Sequence, residues 1–435
     1  MVGLTRRELL AGASAAALLA VAGCGGGTAT PPRMRKGISL AGDLNRWDDA
    51  LGVRPHLLEG PHPVTFLNLW VGWPSLQPLA PDPLTRSAAF AQLSDPDGPA
   101  AAELDVLDVQ LARANADGCE TSLTVYQAFP AWTHPSVVLD PARDPAAGGR
   151  GYPQLGQGTL ANDARIPDDH SPHGQWAWLV AYLCARYSGE RSPGPGRRGA
   201  RLGNPHGARL DWLQPMNEPN LTWWPQRSIA AVVAELARSA AIVAAPYRSQ
   251  GGPGLLIPGT SDVGTPPSPR GTPWDAFSGE VLERLRGWRP DLPVGWAHHN
   301  WVDVKYGARA SGRWRVEDLL DMQRRHAWPQ PAVWITEGGY QFAVRRAGAE
   351  RYLVDHDATA DPTQSDALAE QVARLRANWR AMAPLPVRAW CQYQVHDRDV
   401  RFQSGLRGPV RETPAGRVLH DPPYPAYDLW PTLAA

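Results

Sequence analysis

The 435-residue chain balances 43 basic against 43 acidic residues. A neutral chain lacks the net positive surface that a nucleic-acid partner calls for. Four cysteines, far apart, offer no metal-ligand spacing, and the adjacent pair His298-His299 would point to opposite faces of a strand, a poor geometry for chelation. The outlier is tryptophan, with 19 residues, more than a sequence-level core accounts for when several cluster beside strand ends.

In chain order, the first stretch, "LTRRELLAGASAAALLAVAGC", reads as an export signal. It has a twin arginine, Arg6-Arg7, and an apolar region too short to stay in a membrane as a spanning helix. Its end, "VAGC", resembles the lipobox of bacterial lipoproteins, in which the cysteine, here Cys24, becomes lipidated and the new N-terminus. A plain secretory signal cut nearby is the alternative. Residues 1–23 are therefore expected to be removed and residues 24–35 to form a Gly/Pro-rich tether. The product is expected outside the cytoplasm, held to the outer face of the membrane through Cys24 or secreted. Nothing later reads as long and apolar enough to cross a membrane. Loss of Arg6, Arg7 and Glu8 leaves a net charge of −1, from 41 basic and 42 acidic residues. The remaining cysteines, Cys119, Cys184 and Cys391, sit in apolar contexts and read as buried thiols, although an oxidising envelope would permit one disulfide.

From residue 36 onward, strand-like and helix-like segments alternate. The apolar runs are "KGISLAG" (36–42), "VTFLNLWVG" (64–72), "TSLTVYQAF" (121–129), "LDWLQPM" (210–216), "GLLIPGT" (254–260), "PVGWAHHNW" (293–301), "PAVWITEGG" (331–339) and "VRAWCQYQV" (387–395). Between them, residues 100–118, 173–189, 227–248, 274–288, 316–328 and 364–383 carry apolar residues at three- and four-residue spacing, the helical period. Only a short helix in "NRWDDALGV" joins the first two strands. Alternation of this kind requires parallel strands covered by helices, and eight strands make an α/β single-domain (β/α)8 TIM barrel over residues 36–435. Long insertions follow the third strand (131–172) and the fifth (261–273); the first is expected to form a loop over the barrel mouth.

Active sites of parallel barrels lie at the C-terminal strand ends. The fourth strand ends in "NEPNLTWW", with Glu218, and the seventh in "ITEGG", with Glu337 and two glycines that let the chain turn. "NEPN" is also ordinary turn chemistry. Together, three strand-helix units apart, the two motifs resemble clan A of the glycoside hydrolases, which includes families 5 and 39. "NEPNLTWW" is similar to family 39, while the general layout suits family 5 equally.

The resemblance implies a retaining O-glycosyl hydrolase that works without metal or organic cofactor, on an extracytoplasmic oligo- or polysaccharide, as a monomer. It implies Glu218 as acid/base, Glu337 as nucleophile and Asn217 as the partner of the sugar 2-hydroxyl. It carries His299 over as a residue that touches substrate or holds one that does. Trp390 takes the place of the clan's aromatic platform, and Trp132, Trp223 and Trp224 are candidates for neighbouring sugar sites. Gln394, His396 and Asp397 are expected on the rim. Two positions depart from the clan. Trp301 stands where a tyrosine usually bonds the nucleophile, and an indole N–H donates but cannot accept. Tyr340 and Tyr306 are the candidates to replace it. Asn68 stands near where an arginine usually holds the nucleophile as an anion. These departures support a second reading, a catalytically impaired carbohydrate-binding lipoprotein on the same barrel; the retained carboxyl pair and Asn217 speak against it, because binding needs no such pair.

Overall fold

Eight strands pair in parallel with their sequence neighbours, and the last closes on the first. In the computed structural model they are β1 (Arg35–Leu40), β2 (Phe66–Gly72), β3 (Glu120–Tyr126), β4 (Trp212–Gln214), β5 (Gly254–Ser261), β6 (Val294–His299), β7 (Val333–Gly338) and β8 (Val387–Tyr393). Every strand-like run of the sequence supplies one. The structure describes residues 33–41, 46–47, 53–126, 129–133, 154–155, 170–189, 202, 204–221, 224, 228–263, 271–342, 362–397, 403–408, 410–412, 418–420 and 423–434. Cys24, the signal and most of the tether, Trp223, and most of the insertion after β3 lie outside them.

The covering helices are α1 (Val53–Glu59), α2 (Ala101–Ala116), α3 (Gln175–Arg186), α4 (Ile229–Arg248), α5 (Trp274–Arg284), α6 (Arg315–Arg325), α7 (Pro362–Met382) and, after the last strand, α8 (Pro425–Leu429). The β1-to-β2 helix begins where "NRWDDALGV" ends rather than within it. Short helices at Arg86–Leu93 and Trp301–Tyr306 and a two-stranded ribbon, Val410–Glu412 with Val418–His420, were not legible in the sequence. One expectation is corrected. α4, with a mean hydropathy of 1.6, is long and apolar enough to cross a membrane. It lies in the outer layer against α3 and α5, burying Ile229, Val233, Leu236, Ala237, Ala240 and Val243, which explains its apolar character without a bilayer.

Two apolar layers hold the barrel. The outer one, between strands and helices, contains most of the large buried rings, among them Trp47, Trp73, Trp176, Trp274, Trp296, Trp379, Trp390 and Trp430. Packing thus accounts for much of the tryptophan content. The inner one joins Phe66, Trp212, Leu256, Ala297, Trp334, Ala389 and Cys391 from six strands. Trp212 and Trp334 fill this space with ring centroids 4.8 Å apart. They fit because glycines face them: a Cβ on Gly295 would lie 2.5 Å from Trp334, and one on Gly254 2.6 Å from Trp212. The lower barrel is therefore solid, and chemistry is confined to its upper end. Cys119, Cys184 and Cys391 are buried free thiols.

Candidate active site

Strand alternation decides what faces the mouth. On β6, Ala297 points inward in the inner layer, so His299, two residues on, points inward above it, and His298 points out against Trp274 at a centroid distance of 5.8 Å. Burial and the neighbouring His299 push the His298 imidazole down to about 3, so it stays neutral. The two histidines occupy opposite faces, as the sequence implies.

On β7 simple alternation from the inward Trp334 would turn Glu337 outward. A bulge prevents this. Ile335 pairs with His298 and Trp390, but Glu337 pairs with His299 and Gly338 with Gln392, so β7 carries one residue more than either neighbour at Thr336. The extra residue re-aims the carboxyl into the barrel. The glycine after it serves close approach: a Cβ on Gly338 would meet the Asn300 side-chain oxygen at 2.1 Å.

β5 has a matching irregularity at Gly259, whose φ is +72°. Its carbonyl accepts the Glu218 N–H at 2.9 Å, and the Asn220 side chain exchanges two hydrogen bonds with the Ser261 backbone at 2.9 and 3.0 Å. Leu221 N–H returns to Glu218 O at 3.0 Å. "NEPN" is therefore a turn as well as a site, pinned to the next strand. Glu218 itself sits at φ +46°, a left-handed conformation costly for a side chain with a Cβ.

The result is a buried trio. His299 Nδ1 hydrogen-bonds Glu218 Oε1 at 3.0 Å, and its Nε2 lies 3.2 Å from Glu337 Oε1 without hydrogen-bond alignment. One donor atom from each of Glu218, His299 and Glu337 lies within 4.8 Å of the others. Among the described residues, this is also the group placed to hold a metal ion, which the sequence did not foresee. Burial, then the charge of Glu218, drives the Glu337 carboxyl well above the usual range, and a hydrogen bond from Asn217 pulls it back. The Asn217 oxygen accepts from Gln214 Nε2 at 3.2 Å, which turns its amide nitrogen toward Glu337. Two carboxyls this close share one proton.

Several expectations change. Trp390 is fully buried and faces outward: its indole N–H donates to Asn378 Oδ1 on α7 at 2.8 Å, and its ring packs on Trp379 and Trp430. It is core, not a sugar platform. Trp390→Ala is expected to cost about 3–5 kcal/mol of stability, as for other buried tryptophans, read as a lowered midpoint in denaturant unfolding. Asn68 is also buried, with its amide spent on Ser39 and the Thr336 carbonyl at 3.1 and 3.3 Å and its oxygen on Ser122 and Thr124 at 2.8 and 2.9 Å. It ties four strands together beneath the mouth and has no reach to a sugar.

Trp224 is buried and its N–H holds the Asn217 carbonyl at 2.9 Å. Trp132 is half-buried, its N–H on the Gln77 carbonyl at 2.8 Å and its ring edge-on to Trp73. Gln394, His396 and Asp397 are buried; Asp397 accepts from Ser404 and Gly405 and holds the last loop rather than the rim. Neither candidate tyrosine reaches Glu337: the Tyr340 hydroxyl donates to Glu370 at 2.8 Å, and Tyr306 is 65% exposed at the far end of its helix. Trp301 opens that helix, its ring against Gly339.

Sequence reasoning named Trp301 but missed the three other rings of a row along the mouth. Tyr126, Trp70, Tyr393 and Trp301 follow one another with centroids 6.1, 5.8 and 5.4 Å apart. Trp70 lies two residues beyond Asn68 on the same face of β2, and that spacing was the available signal.

Fold and site together define a (β/α)8-barrel protein with two carboxyls and one imidazole converging at the mouth. No protein-family model matches the chain, and no curated protein matches it. Solved structures with a similar fold include a family 1 β-glucosidase from Thermotoga maritima, 11% identical over 92% of this chain and 97% of that one, with a TM-score of 0.43. A GH1 β-glucosidase from Exiguobacterium antarcticum is 10% identical over 84% and 82%, with a TM-score of 0.40.

Proposed function

We propose that the protein is a retaining glycoside hydrolase of the clan A type, with Glu337 as nucleophile and Glu218 as acid/base. The observation that carries this reading is the convergence of the two carboxyls, whose oxygens lie within 4.8 Å. Retaining enzymes hold their carboxyls about 5–5.5 Å apart, while inverting ones leave about 6.5–9.5 Å for a water. Glu337 attacks the anomeric carbon as Glu218 protonates the departing oxygen; Glu218 then takes a proton from water, which releases the sugar with its configuration kept. Asn217, already on Glu337, is placed to bond the 2-hydroxyl as positive charge builds on the ring. The half-buried rings of Trp70, Tyr126 and Tyr393 offer apolar faces for sugar C–H groups. Proton NMR of the first-formed product tests the assignment: the retained anomer is expected, and the inverted one overturns it.

The export reading belongs to the same proposal: a lipid on Cys24 would hold the barrel at the outer membrane face, next to polymeric carbohydrate. Cys24→Ser is expected to move the protein from the membrane fraction to the soluble one; unchanged partition contradicts the anchor.

A further inference from the structure

A carbonyl in the β7 bulge is held from across the barrel. The extra residue of a bulge drops out of the strand ladder, and a buried carbonyl without a donor is costly. Here the extra residue is Thr336, and its carbonyl accepts the Asn68 side-chain amide at 3.3 Å. Asn68 lies on β2, which pairs with β1 and β3, while β7 pairs with β6 and β8. The bond therefore crosses the barrel interior instead of joining neighbours. Glu337 is the next residue after Thr336, and its inward aim depends on the bulge. The amide can sit only one way round. A carbonyl accepts but cannot donate, so the Asn68 nitrogen, not its oxygen, must face Thr336. The second amide N–H goes to Ser39 Oγ at 3.1 Å, and the oxygen takes the hydroxyls of Ser122 and Thr124 at 2.8 and 2.9 Å. All five residues are fully buried, and every hydrogen-bonding position of the amide is used. Ser39 Oγ also accepts the Trp70 indole N–H at 2.9 Å, which ties the ring row to the same point.

We propose that Asn68 is a positioning residue: by holding the Thr336 carbonyl it keeps the bulge that aims Glu337 at the sugar. It touches neither substrate nor the reacting atoms. The inference rests on the hydrolase reading, in which Glu337 attacks the anomeric carbon. A leucine at position 68 keeps the size of the side chain but cannot donate. The Thr336 carbonyl then loses its partner across the barrel, and the bulge loses the bond that sets it.

The test follows labelling of Glu337 by a 2,4-dinitrophenyl 2-deoxy-2-fluoroglycoside over time at rising reagent concentration. This separates the first-order rate constant of attack from the concentration at half-saturation. Asn68→Leu is expected to lower the rate constant about 10- to 100-fold, the loss that a misplacement of about 1 Å brings, with half-saturation changed less than about twofold. A merely structural role would reduce the amount of protein labelled and leave the rate constant of the folded fraction as it was, which overturns the proposal. Ser39→Ala controls for general loosening, because it removes the Trp70 contact and the other arm of the amide but keeps the Thr336 bond. It is expected to raise half-saturation, through Trp70, with a rate constant near that of wild type. A rate constant as low as in Asn68→Leu overturns the proposal. Should Asn68→Leu not fold, the double variant Ser122→Ala, Thr124→Ala, which releases the amide oxygen, is expected to slow labelling about 10-fold. An unchanged rate constant there overturns the proposal. Failure of the hydrolase reading looks different, since wild-type protein would then take no label from any sugar.

Discussion

Glu337→Gln is expected to lower kcat/KM by about 10⁵-fold, the order of loss seen when a covalent nucleophile is removed, and to raise stability at neutral pH. The first effect follows from chemistry, because an amide cannot form the glycosyl ester. The second follows from burial. The folded state holds the Glu337 proton more tightly than the unfolded chain does. Folding therefore takes up a proton, and stability from this group is fully present below the ordinary glutamate range and declines as pH rises through that range toward the raised value. Glutamine keeps the shape without the charge. Urea unfolding of both proteins is expected to give a higher midpoint for the variant at about pH 7 and convergence near about pH 4, where an exposed glutamate titrates. A variant less stable than wild type at neutral pH contradicts the burial argument; near-normal turnover contradicts the nucleophile assignment.

Glu218→Gly is expected to separate the two halves of the mechanism and to stabilise the fold. Without the acid, kcat/KM for alkyl glycosides should fall about 10²- to 10⁴-fold, while dinitrophenyl glycosides, with a leaving group that departs unprotonated, keep most of theirs. Glu218 sits at φ +46°, where a residue with a Cβ loses about 1–2 kcal/mol. Glycine removes that cost and gives back about 0.5–1 kcal/mol in chain entropy. A rise in Tm is expected. Equal losses on both substrates would place Glu218 outside acid catalysis, and a fall in Tm would place the strain elsewhere.

The barrel was legible because its periodicities are strong: eight apolar runs and the helical stretches between them all became strands and helices. The two glutamates were legible for the same reason, since each follows a run that ends abruptly. What the letters hid was facing. Trp390 was placed in the mouth, yet Ala389 and Cys391 are the inward residues of β8, their small side chains leaving room for Trp212 and Trp334. A run with small residues on one face and a tryptophan on the other points the tryptophan at the helices. The bulge at Thr336 reverses the alternation on β7 and carries no residue signature, so Glu337 arrived inward for a reason the motif did not disclose. Asn68 was expected beside Glu337 but is spent on four partners from β1, β3 and β7, distant in sequence. His299 was named, but its span across both carboxyls depends on closure of the barrel.

The two departures from the clan pattern now have a physical reading. Asn68 serves the barrel and Trp301 stacks in the ring row, so neither touches Glu337. Asn217 and His299 do that instead, one through a hydrogen bond and one through close contact. A carboxyl held by a neutral amide and an imidazole, rather than by a guanidinium, gives up its proton less readily.

The whole proposal stands on one side chain being attacked onto a sugar. Incubation with 2,4-dinitrophenyl 2-deoxy-2-fluoroglycosides of several sugars, followed by peptide mass mapping, should find the fluorosugar esterified to Glu337. No label from any sugar, or a label carried by Glu218, would contradict it.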